Sequence, residues 1–412
     1  MPQSNLPTPA SGCPFSGKTE SLTRRYDRLS DENTDPAGLT QAQTYESVRQ
    51  LLKDDEAPQA GFLAKFATDP TRGMHPPVLY MQGDEHTEMR RATARYFTPT
   101  AVNSYAPMIA GLCDEMLGEL HSKGEMNLDD LSLRLAVEVA ANVVGLNSSL
   151  LPGMEKRIEA FVSTGMDGAP GAVIKSSPLR NVSMGGSVAL FFGLDVKPAI
   201  EARKKAPKDD LISYLLERKY SDQEILTECI TYATAGMITT REFITLAAYQ
   251  LLQRPELRAD YVHGTEKERH AILHELLRLD PVVTMLYRKA EKDMEVEGQQ
   301  YPAGTTFALN IQTANADPAV MGDDADEICP HRKLPRGVQA QGLAFGDGAH
   351  RCPGAFLAIK ESDMFLRRLL MWNDLEIVRH PTIGSNEIVK GYELRGLRVR
   401  LSRQQNNQGA IA

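Results

Sequence analysis

Apolar residues recur at a spacing near 3.6 through Pro107–Leu120, Leu131–Val144, Asp210–Glu217, Glu224–Leu252, Glu266–Leu279 and Gly354–Trp372. That period predicts helices with one buried face. Pro107 suits a first helical turn, where its missing N–H costs nothing. Shorter runs at Asp293–Glu297, Thr305–Leu309 and Leu397–Leu401 read as strands, the first two separated by the turn residues Tyr301-Pro302-Ala303-Gly304. The pattern predicts a mainly α chain with small β-sheets, the strands concentrated in its final third. Gln59–Pro77 and Phe161–Gly193, which includes Asp167-Gly168-Ala169-Pro170-Gly171, have mixed polarity and read as loops. Loops on a rigid scaffold often carry recognition. No internal repeat is visible.

Composition narrows the function classes. A formal net charge of −8 argues against a nucleic-acid partner, which favours a basic stripe. No run of about 18 apolar residues occurs, so no membrane partner is expected. The opening MPQSNLPTPASGCPFSGKTE lacks a charged start and an apolar run, and reads as a flexible leader over residues 1–20. The expected organisation is one catalytic domain over 21–405 and a tail over 406–412, in a cytoplasmic protein. Cys13, Cys113, Cys229, Cys329 and Cys352 are odd in number and form no C-x-x-C pair, so neither a zinc site nor a disulfide framework is expected.

One cysteine stands apart. In AFGDGAHRCPGAFLAIKE, Ala344 to Glu361, three glycines surround Cys352 and a helical run follows. Gly346 and Gly348 can adopt backbone angles closed to other residues, and Gly354 lets the chain pass close to a flat partner. Helix N-terminal amides and Arg351 would favour a thiolate at Cys352. A glycine-rich turn around an inert buried thiol is the competing reading. A nucleotide loop is not, since neither G-x-G-x-x-G nor a following Gly-Lys-Ser/Thr is present.

This stretch resembles the haem-ligand signature of the cytochrome P450 family, Phe-x-x-Gly-x-x-x-Cys-x-Gly, at Phe345, Gly348, Cys352 and Gly354. The resemblance implies a P450 fold, with haem b between a long distal helix and a proximal cysteine loop. It makes Cys352 the axial iron ligand, with Phe345 packed near its sulfur, Gly346 in the same loop and His350 near the haem edge. A thiolate ligand favours O–O cleavage. Other segments fit the same family. Glu275 and Arg278 in AILHELLRLDP match its Glu-x-x-Arg pair, which locks the core behind the haem. His86 and Arg90 in GDEHTEMRRATARYFTP match residues that reach the haem propionates, and so does Arg288. His270 and His274 are four residues apart but lack an H-E-x-x-H pattern, and read as a solvated helix face.

TYATAGMITTREF resembles the family's oxygen-activating segment. Ala235 and Gly236 are the small residues that leave room beside the iron, and Thr239 is the hydroxyl that relays protons. Ile238 departs from the pattern by standing where the family has an acid. Glu242, three residues beyond Thr239, is expected on the same face and would substitute through water. The resemblance implies a monooxygenase that inserts one atom of O2 into a small, largely apolar substrate, by hydroxylation or O-dealkylation. Electrons would come from a ferredoxin-type partner and an NAD(P)H-dependent reductase. Ile238 keeps nitric-oxide reduction and peroxygenase chemistry open, with a non-catalytic haem-thiolate protein as a further alternative. Expected pocket residues are Phe62, Val78, Tyr232, Val283, Met285 and Leu286. Arg91, Arg95, Arg332, Lys333, Arg351 and Lys360 are candidates for a basic docking patch.

Overall fold

The computed structural model describes residues 38–61, 64, 73–162, 178–386 and 390–401. The expected leader over 1–20, the tail over 406–412, Asp167–Gly171 and Phe62 lie outside the described residues.

Helices form the main core, and several start where a side chain caps them. Thr98 accepts a hydrogen bond from the Ala101 amide at 3.2 Å and Pro99 follows, opening the Pro99–Lys123 helix. This start precedes the predicted one because residues 99–106 show little apolar period, and Pro107 lies inside the helix. Capping boxes at Ser221/Glu224 and Thr265/Glu268 open Asp222–Tyr232 and Glu266–Leu279. The apolar faces of Pro99–Lys123, Leu128–Val144, Thr239–Leu252, Glu266–Leu279 and Ala355–Leu370 meet in one cluster. Ile109, Leu131, Ile244, Leu273 and Phe365 lie at its centre.

Asp222–Tyr232, a π-helical turn at Ala233–Ile238, and Thr239–Leu252 run on as a single rod. From Thr240 to Leu251 every side chain is buried, so this rod passes through the molecule rather than over it. Part of the expected loop Phe161–Gly193 is helical, at Pro178–Phe191. A local sequence of Ser, Gly and Asn does not forbid a helix that packs against its neighbours.

The strands form two three-stranded sheets and two hairpins. Thr306–Asn310 lies between Thr40–Ala42, to which it is parallel, and the antiparallel Met285–Lys289. The run at Met294–Val296 does not pair with Thr306–Asn310; it forms a hairpin with Gln299–Tyr301. Its turn is Glu297-Gly298, both at positive φ, and not Pro302–Gly304.

Glu275 and Arg278 join these layers. Arg278 is fully buried, donates two bonds of 2.8 Å to the Glu275 carboxylate, and reaches the carbonyls of Asn315 and Ala325 at 2.8 Å. Glu275 also accepts from the Cys329 amide at 2.8 Å and from Arg332 at 3.3 Å. The pair therefore holds the helix Glu266–Leu279 to the long segment that leads into the cysteine loop.

Candidate haem site

The distal rod changes character at its π-helical turn. Ala235 is exposed and Gly236 and Thr239 are partly exposed, while Ala233, Thr234, Met237, Ile238 and Thr240 are buried. One stripe of the helix is thus accessible, and it carries the small residues and one hydroxyl. The Thr239 hydroxyl donates to the Ala235 carbonyl at 2.7 Å, one of the backbone groups a π turn frees. Ile238 points the other way, into an apolar cluster with Val78, Met89 and Met237. A carboxylate at that position would be buried among carbon atoms, which accounts for the isoleucine.

Glu242 does not share the Thr239 stripe. Its carboxylate is fully buried and accepts from Arg241 Nε at 2.9 Å, from Arg395 Nη1 at 2.7 and 3.0 Å, and from the Leu394 amide at 2.9 Å. It clamps the rod to the strand Gly391–Arg395. The expectation that it passes protons beside Thr239 is corrected: three residues give the right helical period, but a rod buried on all sides finds partners in every direction.

The cysteine loop is shaped by two close approaches. Gly348 has φ +68°, and a Cβ there would lie 2.7 Å from the Leu52 carbonyl oxygen and 2.8 Å from Lys53 Cα. Asp347 caps the next residue and pairs with Arg49 at 3.0 Å and Lys53 at 3.5 Å. The loop is thereby fixed to the helix Tyr45–Lys53. The Cys352 amide then donates to the Phe345 carbonyl at 2.8 Å, closing the turn around the sulfur. Gly348→Ala should lower stability by about 1–3 kcal/mol from the left-handed backbone alone, with the clash added. A denaturant melt checks this, and an unchanged midpoint would contradict the clash.

Burial pushes the Cys352 thiol above its ordinary range, and the Gly354 amide, Arg90, Arg351 and the Ala355 amide pull it back. The expected thiolate-favouring groups are therefore in place, but burial outweighs them without a further cation. Gly354 supplies room: a Cβ there would sit 4.0 Å from the sulfur.

Cationic and imidazole groups gather beside this loop. Arg90 is near enough to both Cys352 and Tyr232 to feel them, and it donates to the Arg351 carbonyl. His86 and His350 stack with ring centroids 4.1 Å apart. Buried His86 Nε2 has no hydrogen-bond partner among the described residues. Burial first, then His86, Arg288 and Arg90, drive the His350 pKa down to about 3. Arg288 is buried with no carboxylate partner among the described residues, donates to Gln59 and to the Tyr287 carbonyl at 2.9 Å, and has its pKa lowered to about 10 by burial. Four positive or proton-accepting groups crowd together here, and among the described residues Arg288, Arg90 and His350 have no acidic partner.

A cytochrome P450 family model matches residues 270–385. Cytochrome P450 YjiB of Bacillus subtilis is 26% identical over 364 residues, 87% of each chain. Pulcherriminic acid synthase of the same organism is 29% identical over 334 residues, 78% of this chain and 79% of its own. The crystal structure of CalO2 overlays with a TM-score of 0.75 at 20% identity, across 94% of this chain and 98% of that one. The chain is similar to cytochrome P450s along most of its length and has their fold. That likeness points to an oxidoreductase of the monooxygenase class and implies haem as its cofactor.

The residues of this chain fit that group. A haem brings two carboxylates and an iron. The cluster of His86, Arg90, Arg288 and His350 needs anions, the orphaned His86 Nε2 needs a partner, and the Cys352 sulfur needs a cation. His270 Nε2 faces Asp363 at 3.6 Å, so that helix face is not simply solvated as expected. Burial lowers the His274 pKa to about 4. No group of three metal-ligating residues occurs among the described residues, and no helix among them is long and apolar enough to cross a membrane.

Val78, Tyr232 and Val283 belong to the apolar cluster that includes Met237 and Ile238. Met285 and Leu286 do not: strand alternation sends them to opposite faces, into two other clusters around the Thr306–Asn310 sheet. The basic patch is also thinner than expected. The Arg332 side chain is buried against Asp324 and Glu275, Lys360 pairs with Glu266 at 3.0 Å, and Arg95 lies 3.4 Å from Asp209. Arg91, Lys333 and Arg351 are exposed.

The sequence left Glu224 and Glu228 unremarked. Glu224 accepts from the His75 amide at 2.9 Å and His75 Nδ1 at 2.7 Å, and Glu228 accepts from the Val78 amide at 2.8 Å. Two carboxylates one helical turn apart thus hold the segment that carries Val78 onto the rod. Burial would raise the Glu224 pKa, but bonds from His75 and Ser221 bring it from 4.5 down to about 2. A depressed carboxylate stabilises the fold fully above about pH 4.5, and that contribution is lost as pH falls towards 2. Glu224→Gln should therefore flatten the fall in melting temperature across that window; a slope equal to the parent's would contradict it.

Proposed function

We propose that this chain binds haem b through Cys352, with His86, Arg90, Arg288 and His350 receiving the propionates. It then inserts one atom of O2 into a small, largely apolar substrate, by hydroxylation or O-dealkylation. The observation that carries the reading is a partly buried cysteine closed in a rigid turn, beside a cluster of cations with no acidic partner among the described residues. When bound, the haem would supply oxygen activation, for which a thiolate is the suited donor.

The chain's own residues have distinct tasks. Phe345 packs at the edge of the main apolar core, and its carbonyl fixes the Cys352 amide. Ala235 and Gly236 leave space on the distal stripe, where a Cβ on Gly236 would meet nothing within 4 Å. The Thr239 hydroxyl sits on that stripe to hold a proton at Oγ1. Val78, Tyr232 and Val283 give an apolar wall that binds and orients substrate and excludes water. Electrons arrive from a ferredoxin-type protein and an NAD(P)H-dependent reductase, docking where Arg91, Lys333 and Arg351 are exposed.

The buried Ile238 favours a second reading for the same site, nitric-oxide reduction or peroxide-driven oxidation, since the usual acid is missing. The test is O2 consumption with NADH, ferredoxin and reductase, run beside hydrogen peroxide alone and nitric oxide with NADH. Substrate-dependent O2 uptake that needs all three components supports the monooxygenase. Turnover with peroxide alone, or with nitric oxide and NADH as the electron source, selects the second reading, and no turnover in any arm leaves only a binding protein.

A further inference from the structure

We propose that Glu228 binds a protonated amine of the substrate, which makes the substrate class aliphatic amines oxidised at a carbon about 10 Å from the nitrogen; this rests on the monooxygenase reading above and adds the substrate's polar group to it.

Glu228 is a carboxyl with only one oxygen accounted for. It is 1% exposed, and its Oε1 accepts from the Val78 amide at 2.8 Å. Its Oε2 has no hydrogen-bond partner among the described residues. Pro76 and Pro77 carry no N–H, so Val78 offers the first amide donor after them. One oxygen of an asparagine or glutamine would satisfy that donor. The second oxygen of Glu228 therefore has no task in holding the segment. Burying a carboxyl with an incomplete set of partners costs folding energy, and a ligand that completes the set accounts for its presence.

Glu228 stands at the far end of the open face of the rod. Seven residues, about two turns, separate it from Ala235, so the two share a face. From Thr240 onwards the rod is enclosed, but this half is not: Thr227, Thr231 and Tyr232 are partly exposed, and Ala235 is exposed. Val78, whose amide meets Glu228, belongs with Tyr232 to the apolar cluster of Ala233, Met237 and Ile238. A substrate lying along this face with its reacting carbon at Ala235 and Thr239 reaches Glu228 about 10 Å further on.

The two ends of the face differ in charge. Towards the cysteine loop lie Arg90, Arg288, His86 and His350. Glu228 has no cation beside it among the described residues. The groups that face it are the Val78 amide, Tyr220 from the turn before the rod, and Cys229 and Tyr232 from the rod itself. Glu224, one turn earlier, is a second carboxylate. Tyr232 stands between the ends, near enough to feel both Glu228 and Arg90. Burial without a cation pushes the Glu228 pKa up to about 8. An ammonium group would supply the missing cation, its N–H donating to Oε2.

The test is calorimetric titration of the haem-loaded protein with N,N-dimethyloctylamine and, separately, with octanol, in the parent and in Glu228→Gln. Glutamine keeps an oxygen for the Val78 amide but carries no charge. The parent should bind the amine more tightly than the alcohol. Glu228→Gln should keep the parent's melting temperature, weaken the amine by at least about thirtyfold and leave the alcohol unchanged. In the parent, amine affinity should rise about tenfold per pH unit up to about pH 8 and then level off, while octanol affinity stays flat. Below about pH 8 the ion pair forms only by displacing the Glu228 proton, the amine keeping its own. The infrared difference on adding amine near pH 6 should accordingly show the loss of a carboxylic-acid C=O stretch. Equal loss of amine and alcohol binding in Glu228→Gln, a pH-independent amine affinity, a parent that prefers the alcohol, or a spectrum of nitrogen-ligated iron on adding the amine would each overturn the assignment. If Glu228→Gln fails to fold, the parent's pH profile and infrared difference decide. A parent that binds the amine in this way but lacks the thiolate-type ferrous–CO band would instead overturn the haem-thiolate reading.

Discussion

Arg278→Ala is expected to cost about 3–5 kcal/mol and to leave little folded protein. Arg278 is wholly enclosed, and its guanidinium satisfies one carboxylate and the carbonyls of Asn315, Ala325 and Glu327. Truncation leaves Glu275 as a buried anion held by the Cys329 amide and Arg332, and takes the Arg278 bond from the Asn315 and Ala325 carbonyls, while the Glu327 carbonyl keeps Arg332. The loss exceeds that of an exposed pair because none of these groups can turn to water. Chemical denaturation or the soluble yield reads it directly. A variant within 1 kcal/mol of the parent would mean that the segment from Asn315 to Cys329 is held by other contacts.

Cys352→Ser is expected to have the other large effect, and on chemistry rather than folding. The loop is fixed by the Asp347 pairs, by the left-handed Gly348 and by the bond from the Cys352 amide to Phe345, none of which uses the sulfur. The variant should therefore fold with a melting temperature close to the parent's when both lack haem. Turnover should fall by more than about a hundredfold, since even the outer partners of metal ligands contribute tenfold to a hundredfold. Serine turnover near the parent's would remove the sulfur from the account. A collapse of the haem-free fold would make it a packing residue.

What could be read from the chain divides along physical lines. The helix Glu266–Leu279 is legible at both ends, because Thr265 and Glu268 form a local capping box ahead of an apolar period. The start of Pro99–Lys123 is not: its cap at Thr98 precedes a polar first turn, and the more conspicuous Pro107 lies inside. The strand Thr382–Asn386, TIGSN, has no apolar alternation and exists through pairing with Gly391–Arg395. The cysteine loop is legible because its glycines are required by backbone angle and close approach, which leave a fixed spacing in sequence.

Direction on a helix was the least legible property of the site. Glu242 and Thr239 share a period but not a surface, because the rod is enclosed on all sides. Stacking of His86 on His350 joins two segments far apart in sequence, so only the fold could bring them together.

The central claim is that the Cys352 sulfur ligates haem iron, and the ferrous–CO spectrum tests it most directly. The purified holoprotein, reduced and exposed to CO, should show the red-shifted absorption band of a thiolate-ligated haem, and Cys352→Ser should lack it. A parent spectrum with only the band of an imidazole- or water-ligated haem, or a serine variant that keeps the thiolate band, would contradict the claim.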